Sequence, residues 1–188
     1  MNNALIFVIN TLLQVASALF LARFILQACR ADFYNPISQG IIKATDPVLR
    51  PMRLVIKGFR NLDFAAFIAA WLLEGLAIAL TYSLTTGYAV DVWFLVIRAL
   101  YETLLLVLTI YWYSIIIVIV LSWIAPGSYH PLAALLVQIT EPILAPARRL
   151  LPPLGGLDLS PILVWMVLTL LREYVLPAVF GALLGLFM

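Results

Sequence analysis

Four stretches of this sequence, residues 4–29, 64–84, 103–125 and 160–188, stay apolar over a length that exceeds what most soluble helices use. A helix crosses the hydrocarbon layer with about 20 apolar residues, so each stretch is long enough to span. They do not alternate every second residue, as barrel strands must. The interruptions are few: Asn10, Gln14, Arg23 and Gln27 in the first, Glu74 in the second, none carrying charge in the third, and Arg172-Glu173 in the fourth. With 65% hydrophobic and 11% charged residues, the chain lies far from soluble domains, which run at roughly 45–50% and about 25%. A disordered chain and a conventional soluble enzyme are both excluded. The expected fold is an all-α membrane protein with four transmembrane helices.

The second constraint is an internal repeat. Shifted by 95 positions, the two long polar loops align without a gap, with eight identities in the 29 pairs from 35/130 to 63/158. Pro36 meets Pro131, Thr45-Asp46-Pro47 meets Thr140-Glu141-Pro142, and Leu49, Pro51 and Arg53 meet Leu144, Pro146 and Arg148. Leu62-Asp63 meets Leu157-Asp158. Identities in Pro, Thr, Arg and Asp are not a by-product of shared hydrophobicity. One membrane domain over residues 1–188 is therefore expected to hold repeat one, about 1–88, and repeat two, about 96–188. Each repeat reads as helix, long loop, helix. Two spans separate the loops, so both loops share one side and the repeats are parallel. Ala16-Ser17-Ala18 resembles a signal-peptide cleavage site, but no Lys or Arg precedes the apolar run. The repeat also places the first span in the mature fold.

Net charge is only +2, too little to argue for nucleic acid, and no nucleic-acid contact is expected. Position says more. Arg30, Lys43, Arg50, Arg53, Lys57, Arg60, Arg148 and Arg149 lie in the two repeat loops, and the short connector between spans two and three carries only Asp91. The positive-inside rule puts the repeat loops in the cytoplasm and both termini outside. The loops mix Ile41, Ile42, Val48, Leu49, Met52, Val55 and Ile56 with Lys43, Arg50, Arg53 and Lys57. That pattern fits an amphipathic segment at the headgroup boundary, with cations toward anionic lipid. A shallow re-entrant hairpin is the alternative.

Local chemistry predicts how the loops are built. Thr45 and Thr140 suit a helix N-cap, Asp46 and Glu141 the positive first turn, and Pro47 and Pro142 a position that needs no N–H. Pro51 and Pro146 then predict short helical pieces, broken there. Arg53 and Arg148 follow the acids by seven residues, so a bridge is open, as is a lipid-facing arginine. Asp63 and Asp158 precede spans two and four and suit helix N-caps.

Inside the spans, Arg23 lies about 9 Å from its helix end and is expected to snorkel to the interface. Arg98 and Glu102 are spaced to pair along one helix face. Glu74, Arg172 and Glu173 sit about 15–20 Å deep, where unpaired charge costs at least about 2.5–3.5 kcal/mol. Glu74 and Arg172 are at corresponding depths with opposite signs, so a Glu74–Arg172 pair is expected. The lone His130 takes the slot of Asn35, and the lone Cys29 forbids a disulfide within the chain. No catalytic motif, metal site or cofactor signature is present in the sequence.

The doubled loop, Asn35-Pro36 through Thr45-Asp46-Pro47-x-Leu49-x-Pro51-x-Arg53 to Asp63, with its copy from His130 to Asp158, resembles the YggT family, called YlmG in other bacteria and plastids. The resemblance covers nearly the whole chain. It departs at His130 for Asn and at Glu141 for Asp. It implies a small bacterial inner-membrane protein with two YGGT repeats and no established enzymatic activity. Relatives are linked to osmotic-stress tolerance and cation uptake, to cell division or shape, and in plastids to cytochrome cofactor assembly and nucleoid organisation. Two functions follow as expectations. One is a scaffold, assembly or stress-response factor whose basic loops meet anionic lipid headgroups, a second copy or another membrane protein. The other is cation transport through Glu74, Arg172 and Glu173.

Overall fold

The computed structural model describes residues 2–124, 130–150 and 158–185. Leu157, Ala125 and the last three residues of the fourth apolar stretch, which enter the sequence pattern, lie outside them. The described chain is helical: α1 (Asn2–Ala28), α2 (Pro36–Val55), α3 (Phe64–Thr86), α4 (Val92–Ile124), α5 (Pro131–Leu150), α6 (Ser160–Leu170), a π-helical turn (Leu171–Val175) and α7 (Leu176–Gly185). Helices α1, α3, α4 and the run from Ser160 to Gly185 are each long and apolar enough to cross a membrane. Because α6, the π turn and α7 continue one another, they make up the last span.

The spans pack where their side chains are small. Ala65, Ala66, Ala69 and Ala70 of α3 are buried against Phe20 and Leu21 of α1, together with Leu49 of α2. Alanines let the two backbones approach, and lipid offers no hydrophobic penalty to drive packing by other means. The second repeat builds the matching cluster from Ile115, Leu144, Ala147, Val164 and Leu168, with fewer alanines. Phe20 and Ile115, Leu49 and Leu144, and Ala69 and Val164 are matched pairs of the sequence repeat. A third cluster joins the repeats, with Ile25, Leu26 and Ala31 of the first against Leu135, Leu136 and Ile139 of α5.

The loops differ from the expected broken pieces. Each is one helix of 20 residues, and Pro47, Pro51, Pro142 and Pro146 lie inside it. Thr45 and Thr140 are therefore not N-caps. Both are buried mid-helix, and each hydroxyl donates to the carbonyl one turn back, Thr45 to Ile41 O at 2.7 Å and Thr140 to Leu136 O at 2.8 Å. The true start of α2 is Asn35, whose Oδ1 accepts from Ile37 N at 2.9 Å, with Pro36 in the first turn. His130 Nδ1 holds Leu132 N in the same way at 3.2 Å. Burial of one face of each helix in the shared core outweighs the local cost of its prolines.

Chain reversals set up the ion pairs. After α1, Arg30 adopts a left-handed φ of 52°, while Ala31 N bonds Leu26 O and Arg30 N bonds Gln27 O. This is the Schellman closure, and it turns the chain into α2. Between α2 and α3, Phe59 and Leu62 exchange backbone hydrogen bonds around Arg60, which is also at φ 52°. Gly58 fits closely there, since a Cβ would lie 3.0 Å from Leu62 O and the turn would have to give to admit it.

Candidate functional site

The repeated polar residues converge at the loop end of the helices. In repeat one, Asp46 on α2 faces three arginines, and only Arg50 donates a hydrogen bond to it. Arg50 Nη2 lies 3.2 Å from its Oδ2, while Arg23 Nη2 and Arg53 Nη1 lie 3.6 and 3.7 Å from its Oδ1. Arg53 also donates through Nη2 to Asp63 at the head of α3. In repeat two, Arg148 Nη1 reaches Glu141 Oε1 at 2.7 Å, and its Nε reaches Asp158 Oδ2 at 2.9 Å. The acid-to-arginine bridge that seven-residue spacing left open is therefore formed in both halves, on one continuous helix.

Two sequence expectations change here. Arg23 points to the loop end of its helix, but not as a free lipid-facing side chain. It is 7% exposed, because α2 folds over it and brings Asp46 within reach. Its Nε and Nη1 are buried without a hydrogen-bond partner among the described residues. Asp63 stands at the N-cap position of α3 but makes no side-chain cap, since Arg53 takes its carboxylate. Asp158 does hold the head of α6, accepting from Ser160 N at 2.9 Å and from Ser160 Oγ at 2.6 Å. The Asp-x-Ser spacing was the available signal for that second contact.

The two clusters differ in charge. Arg23 and Arg50 have Val118 and Ala145 at the matching positions of repeat two. Burial pushes the Asp158 carboxyl up, but the Ser160 hydroxyl and N–H and then Arg148 outweigh it and hold it below its ordinary value. Hydrogen bonds to Asp158 and Glu141 in turn raise Arg148.

The helices α2 and α5 meet at their starts. Asn35 Nδ2 donates to Pro131 O at 2.8 Å, and Asp32 N donates to Gln138 Oε1 at 2.8 Å. Beyond that contact the far half of α2 is open: Leu54 and Val55 are 83% and 84% exposed, and Arg50, Lys57, Phe59 and Arg60 are exposed beside them.

The deep charges do not form the expected Glu74–Arg172 pair. Arg172 Nε lies 3.4 Å from Glu173 Oε1, and its guanidinium sits 5.3 Å from the Trp112 ring centroid. The third span, α4, lies between: α3 packs on its one side and the last span on its other. Glu74 instead lines a pocket of about 400 Å³ in which Asn10, Gln14, Thr81, Arg98 and Glu102 sit among apolar Ala77, Ile78 and Phe94. Arg98 and Glu102 pair at 2.6 Å as their spacing predicts. Asn10 and Thr81 exchange hydrogen bonds of 2.8 and 3.1 Å, a contact no sequence pattern announced. Among the described residues, no three His, Cys, Asp or Glu side chains gather where a metal would fit.

A family model described as CCB3/YggT matches residues 2–84 and 97–179, two stretches of equal length whose spacing repeats the offset of the loops. The uncharacterised protein PA0392 of Pseudomonas aeruginosa is 43% identical over 178 residues, covering 94% of this chain and 90% of its own length. The uncharacterised protein YggT of Escherichia coli K12 is 32% identical over 166 residues, with 88% and 86% covered. An uncharacterised protein of Haemophilus influenzae is 34% identical over 173 residues, with 92% of each chain covered. No solved structure matches. With both halves matched by one family model, and relatives aligned over most of their length, the chain belongs to the CCB3/YggT family.

Proposed function

We propose that this is a non-enzymatic scaffold of the bacterial inner membrane, with its loop helices in the cytoplasmic headgroup layer against anionic lipid. The observation that carries this reading is the open half of α2. Leu54, Val55 and Phe59 are exposed outside the spans, with Arg50, Lys57 and Arg60 beside them. Apolar side chains flanked by cations partition into the acyl boundary while the charges meet lipid phosphates. The repeated ion pairs hold α2 and α5 to the spans, so the surface is fixed and not a loose tail. The concentration of cations at this end supports its cytoplasmic placement.

The test is a Leu54→Cys chain, with Cys29→Ser, carrying a polarity-sensitive dye in vesicles. The dye is expected to report an apolar setting in vesicles with phosphatidylglycerol, and a wetter one when Arg50, Lys57 and Arg60 are changed to Ser. A water-like signal in both cases sinks the proposal.

A second reading, cation passage, is favoured by one observation: Glu74 has no ion-pair partner among the described residues and shares with Arg98 and Glu102 the pocket between α1, α3 and α4. Cation flux into proteoliposomes separates the two. The scaffold reading expects flux equal to that of empty liposomes. Flux that is present and abolished by Glu74→Gln overturns it.

A further inference from the structure

The last span carries its charges on the wrong side for a lone bundle. Glu173 lies thirteen residues from the start of the Ser160–Gly185 span, about 20 Å along it, and is 53% exposed in its side chain. A mid-bilayer carboxylate facing lipid is strongly disfavoured, and such groups turn toward a bundle interior or a partner. Arg172 supplies only part of the answer, since its Nε stands at 3.4 Å and its guanidinium also rests against Trp112.

The backbone is shaped at the same place. Leu171–Val175 is a π turn, closed by Leu176 N bonding Leu171 O. Pro177 follows directly and cannot donate the next bond. A π turn inserts one extra residue and re-aims the side chains around it. Here it turns Glu173 and Tyr174 outward while Arg172 stays half-buried on Trp112.

We propose that this face docks against the same face of a second copy of the chain. The argument is charge complementarity. Two copies inserted the same way in one bilayer share a twofold axis along the membrane normal, so equal residues lie at equal depth. A twofold contact pairs residue i with j and j with i. Neighbouring Arg172 and Glu173 are self-complementary under that operation: each Glu173 meets the Arg172 of the other copy, level in the membrane. An unrelated partner would need its own charge pair at the same depth. A second copy has one by construction.

The experiment uses the full chain, alone in lipid vesicles at high dilution, in a Cys29→Ser background. Tyr174→Cys is oxidised to form a disulfide between copies, with Leu12→Cys, exposed on α1, as the control. Tyr174→Cys is expected to link well above the control. Linking no greater than the control overturns the proposal, whether the face then meets lipid or a different protein. Adding Glu173→Gln is expected to lower linking about tenfold, the scale of one lost interhelical polar contact. Charge reversal gives a second arm. Chains with Arg172→Glu and chains with Glu173→Arg, each also carrying Tyr174→Cys, should fail to link alone and link when mixed. Equal linking alone and mixed overturns the twofold pairing. Retained helical circular dichroism in each variant separates lost docking from lost folding.

Discussion

Arg53 on α2 and Asp63 at the head of α3 form an ion pair that closes a loop of ten residues. Asp63 is almost wholly buried, so its carboxylate depends on that arginine. The matching pair, Arg148 and Asp158, is more than a third exposed on both sides. Removing one partner of a buried pair strands a charge, whereas exposed pairs are worth little. Arg53→Ala should therefore cost about 3 kcal/mol, and Arg148→Ala about 1 kcal/mol. Reversible unfolding in mixed micelles reads both, and equal costs would contradict the difference in burial.

Asp46 and Arg23 respond in opposite ways. Asp46 faces three guanidinium groups, so Asp46→Asn leaves like charges gathered together and should cost at least about 2 kcal/mol. Arg23 carries two buried N–H positions without partners, and Val118 fills its place in the second repeat. Arg23→Leu should be nearly neutral, within about 1 kcal/mol, because a hydrophobic replacement removes an unmet desolvation cost. The same unfolding assay decides it.

The head of α6 should loosen in acid. Asp158 sits below its ordinary value of 3.8. A carboxyl depressed in the folded state adds stability above its unfolded value and loses it as pH falls through the folded one. Arg148 is raised by Asp158 and Glu141, so it stays charged at neutral and acid pH and the loss follows protonation of the carboxyls. Amide exchange at Ser160, extrapolated to a common intrinsic rate, should accelerate only below about pH 4. Asp158→Asn should remove that dependence.

Asn35 does two jobs that substitution can separate. Its oxygen caps α2 and its nitrogen ties α2 to Pro131. Asn35→Asp keeps the cap and loses the tie, while Asn35→Ala loses both. The alanine variant should cost about 1–2 kcal/mol and the aspartate variant less, with Ile37 amide exchange rising only in the alanine variant.

What the sequence made legible was whatever depends on long periods. Four apolar runs gave the spans, and matched Pro, Thr and Arg residues gave the two repeats. Local rules misled where tertiary burial outweighed them. Pro51 argued for a broken helix, yet Leu49 and Thr45 are buried beside it and the helix runs through. The start of α2 is nonetheless written in Asn35-Pro36, a cap followed by a first-turn proline. Glu74 and Arg172 matched in depth, but depth says nothing of the azimuth around each helix, and α4 fills the space between them. Arg23 and Asp46 are 23 residues apart, on separate elements, so no spacing rule links them.

The unequal clusters give the molecule a front and a back. Repeat one gathers Arg23, Arg50 and Arg53 around two carboxylates, and repeat two sets Arg148 alone between two. Half a turn about the axis relating the repeats restores the shape and reverses the local sign of charge. An approaching anion or cation thus meets opposite sides of the same doubled architecture. Two halves that began alike cannot be swapped without inverting the molecule's lateral polarity.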